Sequence, residues 1–159
     1  MQLNNLNREQ VVSILETQQY AIISPCLIQV ADHNDERVKQ FKDRLDRLQM
    51  DYITVIGRYN GVLEESFLIL NCNFNTAYLL AEIYEQKAFI YANTKLMQFG
   101  GQSLIGLHFV DLESESKFSS KLEVWTGTNY TGAKVYDNYS CIQLEGCNRY
   151  LYFKFDFTE

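Results

Sequence analysis

Proline, glycine and histidine are scarce in this sequence. Its 159 residues include one proline, eight glycines and two histidines, and they contain no internal repeat or low-complexity run. Linkers and disordered segments are typically rich in proline, glycine or a few polar residue types, so this composition argues against both. We therefore expect a single domain over residues 1–159 that is long enough to bury a hydrophobic core.

Long apolar runs are also missing from the sequence. Nothing approaches the ~18 consecutive apolar residues of a membrane span. The N-terminus lacks the basic flank and apolar run of a signal peptide. We therefore expect a soluble, cytoplasmic protein that has no membrane partner.

The cysteines and histidines lack the spacing of a metal site. The cysteines stand apart without a CxxC pair, and the two histidines are far from each other. A structural zinc ion needs about four such ligands held close together. We expect neither a metal nor another cofactor, and we interpret the cysteines as buried thiols of a reducing compartment. The residues concerned are Cys26, Cys72, Cys141, Cys147, His33 and His108.

Positive charge is in short supply. The chain has 14 lysines and arginines against 20 aspartates and glutamates, for a net charge of −6. Nucleic-acid binding depends on neutralising phosphates with lysine and arginine, so direct binding of nucleic acid is not expected. The acidic balance favours solubility, or docking onto the basic surface of another protein.

Familiar catalytic motifs are missing as well. The sequence has no P-loop and no GxGxxG motif, and Ser66 lacks the flanking glycines of a nucleophile elbow. Cys26 and His33 are the only cysteine and histidine that lie close together in sequence. Glu64 and Glu65 are adjacent on an expected strand, so their side chains point to opposite faces and do not form a catalytic carboxylate pair. The sequence leaves enzymatic activity open but favours a protein without one.

The clearest structural signal lies between residues 51 and 93. Two runs rich in β-branched and aromatic residues flank Asn60-Gly61, the residue pair typical of a two-residue hairpin turn. Such a turn pairs Gly57 with Glu64 and thereby assigns every side chain of the hairpin to one face of the sheet.

Arg58 and Glu65 are diagonal neighbours on one face of this expected hairpin, within reach of each other. A charged cross-strand pair is commonly a surface ion pair, worth ~0–1 kcal/mol. The same pair could also line a ligand site. The sequence leaves both interpretations open.

Three helices are expected in the first two thirds of the chain. Capping residues and apolar stripes predict helices over about residues 7–18, 32–50 and 73–85. Asp32 or Asn34 is the expected N-cap of the second helix. The apolar positions Leu48, Leu79 and Ile83 are expected to be mostly buried.

Strands accompany these helices and then continue alone. Short apolar runs predict strands over about residues 20–24 and 88–92, and alternating patterns predict only strands beyond Gly100-Gly101. This order predicts an α+β domain with a mixed or largely antiparallel sheet, in which residues 94–159 form the β-rich part. The expected C-terminal strands cover about residues 104–112, 121–125, 134–144 and 149–157.

Five short segments carry a resemblance to a known family. They are Ile22-Ile23-Ser24, Asn34-x-x-Arg37, Gly57-x-Tyr59-x-Gly61, Glu65-Ser66-Phe67-Leu68-Ile69 and Gln86-x-Ala88-x-Ile90. In this order and spacing, the chain resembles small bacteriophage and bacterial proteins for which no activity is established. The resemblance implies a phage or mobile-element origin, where small acidic proteins often inhibit host defence systems such as CRISPR. It also implies that polar residues of these segments line one ligand site: Ser24, Asn34, Arg37, Arg58, Glu65, Ser66 and Gln86.

Tyrosine is abundant, with eleven residues. Outward-facing tyrosines either cover sheet faces or supply contact area of the kind enriched in protein interfaces. We interpret the protein as an inhibitor that binds a host protein stoichiometrically in the host cytosol. The candidate partner-binding residues are Tyr130, Tyr136, Tyr150 and Tyr152.

Two other functions remain open. In the first, the protein holds a small nucleotide, or acts as an enzyme on a small ligand, at the Arg58/Glu65 face. Arginine suits a nucleotide because its guanidinium group binds phosphate in a bidentate manner. In the second, the protein is a structural component of the virion.

Overall fold

The computed structural model describes residues 1–4, 6–27, 32–59, 62–93, 104–110, 119–127, 139–143 and 150–158. The helices within them are α1 (Arg8–Thr17), α2 (Asn34–Arg47) and α3 (Phe74–Ile83). The strands are β1 (Gln19–Ile23), β2 (Tyr52–Tyr59), β3 (Val62–Leu70), β4 (Ala88–Asn93), β5 (Leu104–Phe109), β6 (Ser119–Gly127), β7 (Tyr139–Gln143) and β8 (Tyr150–Thr158). The expected α+β class is confirmed.

The elements from β1 to β4 follow one another as a split βαβ unit. β3 pairs antiparallel with both β1 and β2, and β1 pairs antiparallel with β4, so the strand order is β4-β1-β3-β2. β1 and β2 therefore run parallel on either side of β3, and α2 crosses between them. α3 makes the equivalent crossing from β3 to β4. This is ferredoxin-like connectivity.

The other described strands extend this sheet on both sides. β5 adds to β4, whereas β7, β8 and β6 follow in that order beyond β2, and every ladder between described strands is antiparallel. No helix in the described ranges combines the length and apolarity needed to cross a bilayer.

The predicted hairpin register is confirmed. Gly57 pairs with Glu64 and Tyr59 with Val62, as a two-residue turn requires. The turn residues Asn60-Gly61 themselves lie outside the described part of the chain. The register matters for function because it decides which polar side chains share a face.

Helices cover both faces of the sheet. α1 begins with a capping box, in which the side chains of Asn7 and Gln10 each accept a hydrogen bond from the other's backbone N–H, and it packs Val11 onto one face. α2 and α3 cover the other face, where Phe41 of α2 contacts the ring of Phe67 at a centroid distance of 5.4 Å. The core under α1 includes Tyr20, Ile22, Ile53, Val55, Leu68 and Ile90, and the core under α2 and α3 includes Ala21, Ile23, Leu45, Ile69, Leu80 and Phe89.

Three apolar residues that were expected to be buried are exposed. Leu48 is 52% exposed, Leu79 58% and Ile83 50%. α2 ends at Arg47, so Leu48 follows the helix and leaves its inward stripe. α3 uses only one stripe to pack on the sheet, and Leu79 and Ile83 lie outside it.

Candidate functional site

Residues 24–27, directly after β1, gather several of the polar residues that the resemblance singles out. Ser24 folds back onto this segment, and its Oγ accepts a hydrogen bond from the backbone N–H of Cys26 at 3.1 Å. The same hydroxyl donates to the carbonyl oxygen of Glu65 in β3 at 2.9 Å. Ser24 thereby continues the connection between β1 and β3 beyond their last ladder pair.

Asn34 holds the other end of this segment. Its Oδ1 accepts from the N–H of Leu27 at 2.9 Å, and its Nδ2 donates to the carbonyl of Leu27 at 3.0 Å. The expected N-cap at Asp32 or Asn34 is therefore wrong. Asn34 is the first residue of α2, its side chain is engaged with Leu27, and the N-cap residue His33 makes no side-chain capping bond.

Arg37 fastens α2 to two other parts of the fold. Its Nε donates to the carbonyl of Pro25 at 2.7 Å, and its Nη2 donates to the carbonyl of Tyr84, directly after α3, at 2.6 Å. The guanidinium also lies over the Tyr84 ring, 5.5 Å from the centroid. Hydrogen bonds from a charged donor are stronger than neutral ones, so Arg37 holds α2 firmly against residue 25 and the end of α3. We call this contact region between β1, α2 and α3 the joint.

Gln86 completes the joint from the end of α3. Its Nε2 donates to the carbonyl of Cys26 at 2.8 Å and to that of Tyr84 at 3.0 Å. Its backbone N–H bonds to the carbonyl of Ala81, and Glu85 has a φ of 57°, which is the Schellman ending of a helix. The Gln86 side chain therefore satisfies carbonyl groups on both sides of the joint.

These contacts show which residues of the predicted ligand site lie close together. Ser24, Asn34, Arg37 and Gln86 meet around residues 24–27, as expected for one site. Their hydrogen bonds described above all go to main-chain groups, however. The cluster is thus a joint between β1, α2 and α3, and ligand binding by these four residues stays a prediction.

Glu65 has a cationic partner that the sequence did not indicate. Its carboxylate lies 3.9 Å from Nζ of Lys42 in α2, and this ammonium is 5.7 Å from the centre of the Phe67 ring. Both ionic groups are partly exposed, so the pair contributes ~0–1 kcal/mol. The backbone of Arg58 pairs with Leu63, but its side chain lies outside the described part. The Arg58–Glu65 pair therefore stays a prediction.

Ser66 lies on the opposite face from Glu65, together with Glu64 and above Gly57 of β2. A Cβ atom at position 57 would collide with the Ser66 Oγ and would come within 3.2 Å of the Glu64 carbonyl oxygen and 3.4 Å of the Glu64 Cγ. The space left by the missing side chain of Gly57 is thus taken by the Ser66 hydroxyl and the base of the Glu64 side chain.

Glu64 carries a strongly perturbed carboxyl group. Burial raises its pKa from 4.5 to about 7, and a hydrogen bond from the Ser24 hydroxyl opposes this effect only in part. That hydroxyl has a single proton, which the carbonyl of Glu65 also accepts. Among the side chains that the structure describes, which do not include that of Arg58, no lysine, arginine or histidine forms an ion pair with Glu64.

Sequence reasoning missed Glu64 as a site residue, although a signal was present. A glycine inside a strand commonly marks a place where another group approaches the backbone closely. The predicted register already placed Gly57 directly opposite Glu64, so a recess beside this carboxyl could have been anticipated. Its burial could not, because the tertiary structure supplies it.

We expect Glu64→Gln to flatten the dependence of stability on pH. The folded carboxyl keeps its proton up to about pH 7, whereas the unfolded chain releases it near 4.5. The folded state binds more protons between these values, so the wild-type protein loses stability as the pH rises from 5 to 8. The loss is on the order of 2 kcal/mol after allowance for solvent screening.

Urea unfolding at pH 5 and pH 8 measures this effect. Glu65→Gln is the matched control, because it removes the neighbouring carboxyl on the other face and should keep the wild-type slope. An unchanged slope in Glu64→Gln would contradict the burial of this carboxyl.

The described thiols are poorly suited to nucleophilic catalysis. Cys26 and Cys72 are buried and free, as expected. Burial raises the pKa of both thiols, that of Cys72 to about 12, so both are protonated at neutral pH. In the part of the chain that the structure describes, no group of three histidine, cysteine or acidic side chains could hold a metal ion. The side chain of Cys141 and all of Cys147 lie outside that part.

The tyrosines proposed for partner binding lie mostly outside the described residues. Tyr150 and Tyr152 belong to β8, where they pair with Gly127 and Trp125 of β6. Their side chains lie outside the described part, as do Tyr130 and Tyr136 altogether. Their role in an interface stays a prediction.

Comparisons with known proteins yield no relative: the chain matches no protein-family model, no curated protein and no solved structure. The resemblance to small phage and bacterial proteins therefore rests on the sequence motifs alone.

Proposed function

We propose that this protein acts by stoichiometric binding to another protein, as a phage-type inhibitor of a host defence protein such as a CRISPR effector. One structural observation carries the binding part of this proposal. Leu79 and Ile83 are at least half exposed and lie four residues apart on α3, so they form one apolar patch on its outer side.

The charge around this patch points to the kind of partner. Glu82 lies beside Leu79 and Ile83 on the exposed side of α3, and we call these three residues the α3 face. No lysine or arginine occurs between residues 73 and 86. An apolar patch with one carboxylate at its edge suits a partner surface that offers an apolar recess with a basic residue beside it.

Binding is favoured over catalysis by the state of the polar groups. Apart from the hydrogen bond between the Ser24 hydroxyl and the Glu64 carboxyl, the side chains around residues 24–27 direct their hydrogen bonds at main-chain groups. The described thiols are protonated. The inhibitor part of the proposal is supported by the resemblance and by the net charge of −6. A host cytosolic partner with a basic surface fits both.

We expect Leu79→Ser/Ile83→Ser to weaken partner binding about tenfold or more, because central apolar contacts dominate interface energies. The immobilised wild-type protein should retain one host protein at fixed stoichiometry from bacterial lysate, and the double variant should retain much less of it. Leu48→Ser is the matched control, since Leu48 is a similarly exposed leucine outside α3.

The retained protein then allows a direct test of inhibition. Its purified activity should fall to its minimum at one equivalent of the wild-type protein. Equal retention by the double variant would rule out the α3 face, and Tyr150→Ala/Tyr152→Ala would next test the tyrosine surface. Undiminished activity of every retained protein would refute the inhibitor function itself.

A small-ligand function is the second candidate, and the perturbed carboxyl of Glu64 favours it. Native mass spectrometry of the gently purified protein would detect a bound small molecule as an excess mass that disappears on denaturation. If the ligand is a nucleotide at the Arg58/Glu65 face, Arg58→Ala and Glu65→Ala should remove this mass. Partner binding through the α3 face should be intact in both variants.

A further inference from the structure

The helix α3 carries a single charged residue, Glu82, next to its exposed apolar side chains. Glu82 follows Leu79 by three residues and directly precedes Ile83, and all three side chains are exposed. Residues three or four apart on a helix are neighbours on its surface. A partner protein that covers Leu79 and Ile83 therefore also covers the carboxylate of Glu82.

Covering this carboxylate takes water away from a charge. A carboxylate that loses its hydration is strongly unfavourable unless a cation and hydrogen-bond donors replace the water. Among the side chains that the structure describes, no lysine, arginine or histidine forms an ion pair with Glu82. If the α3 face is the binding surface, as in the proposed function on which this inference rests, the partner has to supply the cation.

Tyr78 lies on the other side of Glu82, one helical turn before it, and is partly exposed. Its ring is held in place, because its hydroxyl donates to the carbonyl of Val110 at 3.1 Å and the ring packs nearly perpendicular to that of Phe89, at a centroid distance of 6.4 Å. A guanidinium group suits a carboxylate beside a fixed aromatic ring. It is planar, packs on such rings and binds a carboxylate through two parallel hydrogen bonds, which the ammonium of lysine does not do.

We propose that Glu82 and Tyr78 receive an arginine side chain of the partner protein, with its guanidinium on the Glu82 carboxylate and against the Tyr78 ring. The methylene groups of this arginine extend the apolar contact made by Leu79 and Ile83. Glu82 thereby determines specificity within the α3 face. It favours an apolar surface that includes an arginine and disfavours a similar surface that would leave the carboxylate unpaired.

The test measures the dissociation constant between this protein and the purified host protein whose retention depends on Leu79 and Ile83. Glu82→Gln should weaken binding about tenfold or more, because removing one member of a covered charge pair leaves the other uncompensated. The affinity of the variant should also depend less on salt concentration than that of the wild type. Glu9→Gln is the matched control, since it removes the same charge from an exposed position of α1, on the opposite face of the sheet, and it should bind like the wild type.

Double-mutant cycles then identify the cation on the partner. Each exposed arginine and lysine of the partner is replaced by alanine and combined with Glu82→Gln. One arginine should be coupled to Glu82 by about tenfold in the dissociation constant. Replacing that arginine by lysine should restore only part of the binding, and Tyr78→Leu should reduce the preference for arginine, whereas Tyr78→Phe, which keeps the ring, should preserve it.

The possible failures differ from one another. If no host protein depends on Leu79 and Ile83 for retention, the α3 face is not the binding surface, and the arginine site is overturned with it. If such a protein is found but binds Glu82→Gln as tightly as the wild type, with the same salt dependence, the α3 face stands and the arginine site alone is overturned. Coupling of Glu82 to a lysine only, with Tyr78→Leu without effect, would likewise overturn the assignment to arginine.

Discussion

Replacing Arg37 by alanine is expected to lower the free energy of unfolding by about 3 kcal/mol. The variant loses two charged hydrogen bonds, to the carbonyls of Pro25 and Tyr84, and the contact with the Tyr84 ring. Hydrogen bonds to charged groups contribute about 1.5–3 kcal/mol each. Gln86 still satisfies the carbonyl of Tyr84, so the expected loss is smaller than the full sum.

Urea unfolding followed by circular dichroism measures this loss. Arg47→Ala is the matched control on the same helix, because Arg47 is exposed and, among the described residues, bonds only to the carbonyl of Asp43, at 3.4 Å. It should change stability by less than about 0.5 kcal/mol. Arg37→Lys should fall between the two, since one ammonium does not reproduce the fork that bridges two carbonyls.

This experiment also distinguishes a structural role of Arg37 from a role in ligand binding. A residue that serves only a ligand would affect ligand binding while leaving stability nearly unchanged. If Arg37→Ala is as stable as the wild type, Arg37 does not stabilise the joint between β1, α2 and α3. That result would favour the predicted role of Arg37 in a ligand site.

Replacing Gly57 by valine is expected to destabilise the protein by about 3 kcal/mol, the upper range for overpacking a core. The new Cβ collides with the Ser66 hydroxyl and lies 3.2 Å from the Glu64 carbonyl oxygen. That carbonyl belongs to the β2–β3 ladder, so it has little room to move. Strand propensity alone would predict the opposite sign, because valine is favoured over glycine in strands.

The control for strand propensity is Thr54→Val, at an exposed position of the same strand. It also loses the exposed hydrogen bond that Gln2 Nε2 donates to the Thr54 hydroxyl at 2.9 Å, so it should change stability by less than about 0.5 kcal/mol. A double-mutant cycle then tests whether the collision with the Ser66 hydroxyl causes the loss of stability. Gly57→Ala should cost less in the background of Ser66→Ala than in the wild type, with a coupling of about 1 kcal/mol. Additive effects, or a stabilising Gly57→Val, would show that the recess over Gly57 is not filled by Ser66.

Local sequence signals were sufficient to predict much of the fold. The capping box of Asn7 and Gln10 and the register of the β2–β3 hairpin both depend on residues close together in the chain. Their geometry is dictated by backbone hydrogen bonding and by side-chain period, which short segments already express. The α+β class follows from the order of such segments.

The candidate sites depended on contacts that local patterns do not contain. Arg37 reaches Pro25, 12 residues away, and Tyr84, 47 residues away. The resemblance grouped Arg37 with Ser24, Asn34 and Gln86, and the structure does bring these four together, but their bonds to main-chain groups could not be read from spacing. The partner of Glu65 was likewise missed, because Lys42 lies on a helix that crosses the sheet.

The sequence by itself determined the elements, the hairpin register and the separation of Glu64 from Glu65 onto opposite faces, because these follow from local turn chemistry and the two-residue period of a strand. Only the tertiary structure decided which of the two carboxyl groups is buried. It left Glu65 beside the Lys42 ammonium and placed Glu64 in a half-buried recess. It also left Leu79 and Ile83 in solvent, because a helix packed on a sheet buries one stripe and exposes the rest.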